Sequence, residues 1–282
     1  MESATTQNVL IVGVGGQGVL LAGDILGVVC LARGYEVKKS EVHGMAKRGG
    51  VVYSHVRYGT KVLSPTIEPG SGNVVLAFEP AEALRWSPYL KPEGTVIVNS
   101  RMRVPPASCL DRRPEGTLRY PREIQQALRS QLADVREFDA DALAIELGNH
   151  RMCNTVLLGA LSNVCEFTTE EWLGAIEKCV KPRTVEMNRR AFLAGQAMQF
   201  PAPNESVAHA TQVANPSSAA EEVPRIEIRQ IWCKGCEICV RMCPQNCLRM
   251  DEQNVAQVAT AETCIRCMLC EWLCPDLAVS VH

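Results

Sequence analysis

The sequence predicts two unlike domains. An α/β, Rossmann-like domain spans residues 1–200, a small α+β domain spans 225–282, and a flexible linker at 201–224 joins them. Three observations support this. Short apolar runs of β-forming residues alternate with helical stretches as far as Met198, the pattern of a sheet covered by helices. Pro201 to Pro224 is rich in Ala, Ser and Pro, lacks aromatic residues and carries little charge, so it cannot build a core. Beyond it, eight cysteines fall in two runs of identical spacing. A chain of 282 residues accommodates two domains comfortably.

Asn8–Val14 is a short apolar run, as expected of a strand buried on both faces. Gly13-Val-Gly15-Gly16-Gln-Gly18 follows and opens a helix over Val19–Leu31, apolar on nearly every side. Such a turn brings bare backbone N–H groups and a helix N-terminus up to a phosphate. A dinucleotide site also wants an acid at the end of the second strand, about 20 residues on. The second strand, near Tyr35–Ser40, carries Lys38 and Lys39 there instead. The turn therefore fits a nicotinamide dinucleotide poorly, and it holds a different phosphate-bearing ligand, meets a partner's cofactor, or simply packs. The alternatives for the whole chain are an NAD-linked ferredoxin-type reductase or an electron-carrier module with a docking α/β domain.

Ser40–Gly50 reads as a polar, Gly-rich loop at the same end of the sheet as the glycine turn. Its Lys47-Arg48 pair is either an anion site or a solvated surface. Val51–Tyr58, Asn73–Phe78, Thr95–Asn99 and Ala133–Phe138 read as further strands. Helices are expected at Glu79–Trp86, Pro121–Gln131, Asp139–Leu147, Met152–Cys165 and Thr184–Met198, with Arg101–Pro114 irregular. Thr168 and Glu171 form a capping box for a helix whose Trp172, Leu173, Ile176 and Val180 make one apolar stripe, ended by Pro182.

The composition is that of a globular protein: 46% hydrophobic, 21% charged, formal charge −2, without a basic run. That argues against nucleic-acid binding. Val9–Ala32 is almost uncharged, but its six glycines, Gln17 and Asp24 make it a strand-turn-helix and not a membrane span. Nothing basic precedes the apolar run, so no export signal is expected, and the cysteine usage points to a reducing cytoplasm at low oxygen.

Cys233, Cys236, Cys239 and Cys243-Pro244 are answered by Cys264, Cys267, Cys270 and Cys274-Pro275. C-x2-C-x2-C-x3-C-P is the spacing that holds two [4Fe–4S] clusters in bacterial ferredoxins, the fourth cysteine of each run serving the other cluster. Cys233, Cys236, Cys239 and Cys274 are expected to form one ligand set, and Cys264, Cys267, Cys270 and Cys243 the other. Two structural zincs or a disulfide framework would not predict a third cysteine and then Cys-Pro, twice over. About 58 residues bury little core unaided, so the clusters would staple this domain. As a coil, the linker reaches about 27 Å. Cys247 fits neither run, and Cys30, Cys109, Cys153, Cys165 and Cys179 read as buried small hydrophobes.

Gly13–Gly23, Glu41–Gly50 and Asn154–Ala160 resemble the gamma component of the 2-oxoacid:ferredoxin oxidoreductases, over about residues 8 to 198. The Glu41-Val-His-Gly-Met45 stretch is most like the indolepyruvate branch, and the cysteine domain resembles the family's delta component. The resemblance implies oxidative decarboxylation of an aryl-pyruvate or similar 2-oxoacid with coenzyme A, electrons leaving to ferredoxin. No Gly-Asp-Gly motif is present. Thiamine diphosphate with its Mg is thus expected on an alpha/beta-type partner subunit, in a hetero-oligomer inactive without it. Gly13, Gly15, Gly16, Gly18, Lys47 and Arg48 would then help form the coenzyme A side of the active site, with no catalytic residue on this chain.

Overall fold

The computed structural model describes residues 6–43, 50–102, 112–113, 124–204, 207 and 224–282. The chain divides into two compact units, Met1–Arg103 with Gln125–Ala214, and Val104–Ile124 with Asn215–His282. Among the described residues no helix is long and apolar enough to cross a membrane.

The first unit is a mixed six-stranded sheet flanked by helices. In chain order come β1 (Gln7–Val14), α1 (Val19–Ala32), β2 (Glu36–His43), β3 (Val51–Gly59), β4 (Gly72–Ala77), α2 (Pro80–Trp86) and β5 (Leu90–Asn99). Then follow α3 (Ile124–Gln131), β6 (Asp134–Phe138), α4 (Ala140–Glu146), α5 (Cys153–Ser162), α6 (Thr169–Cys179) and α7 (Val185–Gln196). The strand order is β2-β3-β1-β4-β5-β6. β1, β4, β5 and β6 run parallel, while β3 is antiparallel to both β1 and β2.

This departs from the purely alternating reading in one place. β2 and β3 form a hairpin, which inserts β3 beside β1 and leaves β2 at the edge. Residues 40–43, expected in a loop, extend β2, with Ser40 facing His55 and His43 facing Val52. An edge strand needs no apolar faces, so its composition hid it. Lys39 there pairs with Asp24 of α1 and, at 2.7 Å, with Glu41.

Burial on both faces explains the unbroken apolar run of β1. Leu10, Ile11 and Val12 are completely buried. Ile11, Ile25, Leu26, Val29, Leu157, Trp172 and Phe192 share one core beneath α1, α5, α6 and α7. α5 and α7 touch backbone to backbone. A Cβ on Gly195 would lie 1.9 Å from the Val156 carbonyl oxygen, and one on Gly159 2.1 Å from that of Phe192. The capping box forms as expected: Glu171 N donates to Thr168 Oγ1 at 3.3 Å, and Thr168 N donates to Glu171 Oε2 at 2.7 Å. Glu79 caps α2, accepting from the amides of Ala81 and Glu82, with Pro80 in the first turn. Of the predicted linker, 201–204, 207 and 224 are described, and Asn204 N is tied to Ala133 O at 2.8 Å.

The second unit is built from two copies of one motif. β7 (Ile226–Ile228), the first cysteine loop, α8 (Ile238–Met242) and β8 (Leu248–Met250) make the first half. β9 (Ala256–Val258), the second loop, α9 (Leu269–Trp272) and β10 (Val279–Val281) make the second. The halves close on each other as two antiparallel pairs, β7 with β10 and β8 with β9.

Candidate functional site

Each cysteine of the first run has its counterpart 31 positions later, and the backbone repeats with it. Left-handed residues stand at matching places: Gly235 and Arg266, Glu237 and Met268, Asn246 and Leu277. Glu237 and Met268 each open the short helix that carries the third cysteine of its run. Gly235 has a further reason to be glycine, since a Cβ there would sit 2.4 Å from Asn254 O.

These loops wrap two small cavities. One is lined by Cys233, Cys236, Cys239 and Cys274, the other by Cys264, Cys267, Cys270 and Cys243. In both, three thiols come from one run and the fourth from the other. Among the described residues no three His, Cys, Asp or Glu converge on a point that could hold a single metal ion. A cuboidal cluster, whose irons are separate bodies, takes its thiolates from around a cavity and not at one point.

Backbone amides are aimed at the sulfurs. Ala256 N donates to Cys233 Sγ at 3.4 Å, Cys247 N to Cys243 Sγ at 3.3 Å and Ala278 N to Cys274 Sγ at 3.2 Å. Such N–H···S bonds stabilise thiolate charge and tune bound clusters. Burial nevertheless pushes the Cys239 thiol up to about 12 and Cys270 up to about 11, with neighbouring cysteines adding to both. Burial also opposes ionisation of Cys243, but the amides of Cys247, Gln245 and Asn246 outweigh it and hold that thiol low. Crowded, buried thiols of this kind ionise together only when positive charge enters among them. The donor set fits an iron–sulfur cluster in each cavity.

Cys247 stands 31 positions before Ala278. Its amide makes the same bond to sulfur as that of Ala278, while its own Sγ lies 3.5 Å from Thr263 Oγ1. It occupies the place of an alanine. Two other elements of this unit have no local sequence signal. Lys234 and Asp276 form an ion pair at 2.9 Å inside the first cavity wall. The amide of Arg112 donates to Lys234 O at 3.0 Å, and its guanidinium pairs with Glu237 at 3.5 Å.

In the first unit, the glycine turn lies at the C-terminal ends of the parallel strands. Gly15 N donates to Gly50 O at 2.8 Å, so the residue that leads into β3 meets the turn. Lys47 and Arg48 precede it in sequence, outside the described residues. The four predicted glycines differ in what demands them. Gly13 is a packing glycine, where a Cβ would come within 2.7 Å of Gln17 Oε1 and 2.8 Å of Phe78 Cβ. Gly15 has its amide engaged. Gly18 (φ 89°) faces Asn154 Nδ2, 2.9 Å from where a Cβ would be, and Gly16 (φ 99°) has open space. Gln17 locks the turn, accepting from Val14 N at 2.7 Å and donating to Phe78 O at 3.1 Å. Two amides the turn could offer an anion, those of Gly15 and Gln17, are thus used within the chain, the latter on Val14 O at 3.2 Å. Beside the turn, buried Asn99 donates to Asp141 Oδ2 at 2.8 Å and accepts from Ala140 N at 3.0 Å, a network without a motif to announce it.

Residues 8–198 match the family model described as pyruvate ferredoxin/flavodoxin oxidoreductase. Indolepyruvate oxidoreductase subunit IorB of Thermococcus kodakarensis is 40% identical over 193 residues, covering 67% of this chain and 93% of that protein. The same subunit from Pyrococcus horikoshii is 40% identical over 190 residues, covering 66% and 92%. The pyruvate/ketoisovalerate oxidoreductases common subunit gamma of Pyrococcus furiosus is 26% identical over 171 residues, covering 60% and 82%. A solved structure of a keto/oxoacid ferredoxin oxidoreductase gamma subunit from Geobacter sulfurreducens PCA aligns at 23% identity and a TM-score of 0.48, covering 67% of this chain and 95% of that one. The chain belongs to the pyruvate ferredoxin/flavodoxin oxidoreductase family. It is a gamma-type, IorB-like subunit of an oxidoreductase complex.

Proposed function

We propose that this chain is the electron-outlet subunit of a 2-oxoacid:ferredoxin oxidoreductase, a gamma-type domain carrying its own pair of [4Fe–4S] clusters. In this reading, thiamine diphosphate and Mg are held by an alpha/beta-type partner, which decarboxylates an aryl-pyruvate or similar 2-oxoacid to its acyl-CoA. The IorB relatives favour that substrate class. When bound, each cluster supplies a one-electron carrier. This chain's residues hold the carriers, keep them apart and exclude water from the first, and ferredoxin is the acceptor. The gamma-type domain docks the partner. Its Gly13–Gly18 turn contributes remaining amides, and Lys47 and Arg48, which precede Gly50 in sequence, contribute cations to the coenzyme A phosphates.

The observation that carries the reading is the sorting of eight thiols into two cavities, three from one run and one from the other each time. Iron and acid-labile sulfide analysis of the anaerobically purified chain tests it, with about eight of each expected for two cubanes. Ferredoxin reduction by a panel of 2-oxoacids should require the thiamine-bearing partner. A chain that takes up four or fewer tightly bound zincs and no sulfide refutes the reading. For coenzyme A, replacing Lys47 and Arg48 together should raise its KM steeply in the complex; an unchanged KM removes that part alone.

A further inference from the structure

The two cavities are related by the internal repeat, yet they are not equivalent. The first has Lys234 and Asp276 in its wall, Nζ to Oδ1 2.9 Å, with side chains 2% and 3% exposed. At the matching positions the second has Ile265 and Gln245. One backbone, with left-handed residues at the same three places, is therefore built once around a buried ion pair and once without it. A buried pair is often no more stabilising than neutral residues of similar size. The second half of the unit demonstrates that the motif does not require one.

Access differs as well. Cys233, Cys239 and Cys274 are buried and Cys236 half-buried, whereas in the second set Cys267 is exposed and Cys243 and Cys264 are half-buried. Ile265 beside the second cavity is 59% exposed. Reduction adds a negative charge to a cluster. Water screens that charge at the second cavity, but a buried site must answer it with fixed protein charge. Glu237, also at the first cavity, is turned to Arg241 and Arg112, so the enclosed charges in that wall are Lys234 and Asp276.

We propose that the buried Lys234–Asp276 pair sets the reduction potential of the first cluster independently of the second, the Lys234 ammonium favouring the reduced form and Asp276 opposing it while holding the ammonium in place. The inference rests on the reading that both thiol sets hold clusters. Both are positioning residues and bind no iron themselves.

EPR-monitored potentiometric titration of the anaerobically prepared full chain tests this, using Lys234→Gln, Asp276→Asn and the charge-keeping Lys234→Arg. In Lys234→Gln one cluster should become harder to reduce, its reduced-to-oxidised ratio at fixed potential falling about tenfold, which is 59 mV for one electron. Asp276→Asn should move the same cluster the opposite way, Lys234→Arg should leave it near its starting value, and the other cluster should stay put throughout. Equal shifts in both clusters, or none in either variant with both clusters present, overturn the proposal. If Lys234→Gln loses iron, Ile265→Lys decides: it should raise the potential of the second cluster alone, and an unmoved second cluster overturns the idea. Iron and sulfide analysis separates the two failures. A wild-type chain without clusters refutes the underlying reading, whereas a full complement with unmoved potentials refutes only the role of the pair.

Discussion

Gly18→Ala tests whether the glycine turn is set by the helix that packs on it. Gly18 has φ 89°, and an added methyl would stand 2.9 Å from Asn154 Nδ2 and 3.2 Å from Asn154 Cγ. Asn154 is only 4% exposed, so it has little room to yield. Two costs therefore add: about 1–2 kcal/mol for an L-residue in left-handed backbone, and about 1–3 kcal/mol for the overpacking. Gly16→Ala is the internal control, because Gly16 has φ 99° but nothing within 4 Å. Urea unfolding followed by far-UV circular dichroism should show Gly18→Ala losing about 1–3 kcal/mol more than Gly16→Ala. Asn154→Ala in the same chain should return most of that difference as a coupling energy. Equal losses for the two glycines, with no rescue by Asn154→Ala, would refute the packing account and return Gly18 to the ligand-binding glycines.

Other expectations follow from particular contacts. Gly195→Ala drives a methyl into the Val156 carbonyl, and since backbone cannot step aside the first unit should lose about 3 kcal/mol, read as a lower urea midpoint. Cys247→Ala should keep its full iron content and Cys243→Ala should not, because the amide of residue 247, and not its thiol, serves the neighbouring sulfur. His55 is buried and accepts from Ile67 N through Nδ1 at 3.0 Å. Burial, then Arg57, holds its pKa below the usual histidine value. The unfolded chain takes up the proton first, so this contribution is complete above about pH 7 and declines as pH falls through about 6.5, by at most ~1.4 kcal/mol per unit. His55→Gln should flatten that part of the stability profile, and an unchanged slope between pH 7 and 5 would contradict it.

Much of the fold was legible because it rests on short-range signals. The apolar run of β1, the glycine turn, the Thr168–Glu171 capping box and Pro80 behind Glu79 are local statements about backbone and burial, and they stand where the pattern puts them. The β2–β3 hairpin was not legible: a solvated edge strand reads as loop until its partner is known. The cysteine spacing anticipated which thiols line which cavity, because three sulfurs within seven residues leave a chain few options. The Lys234–Asp276 pair spans 42 positions, and only the folding of one half onto the other brings its members together. Asn99 and Asp141 likewise meet only across β5 and α4. Lys47 and Arg48 fall outside the described residues, so their part in an anion site rests on composition and on the neighbouring Gly15–Gly50 bond.

Among the described residues, all six side-chain-bearing residues with positive φ lie in the second unit: Glu237, Asn246, Asn254, Arg266, Met268 and Leu277. At about 1 kcal/mol each, their sum rivals the entire stability of a domain this small, about 3–9 kcal/mol. On the proposed reading, the clusters within the loops offset this strain. Iron supply then becomes a folding control. On that reading, chain produced without iron should keep its first unit intact while limited proteolysis degrades its second, and chain carrying a full complement of iron should resist at both.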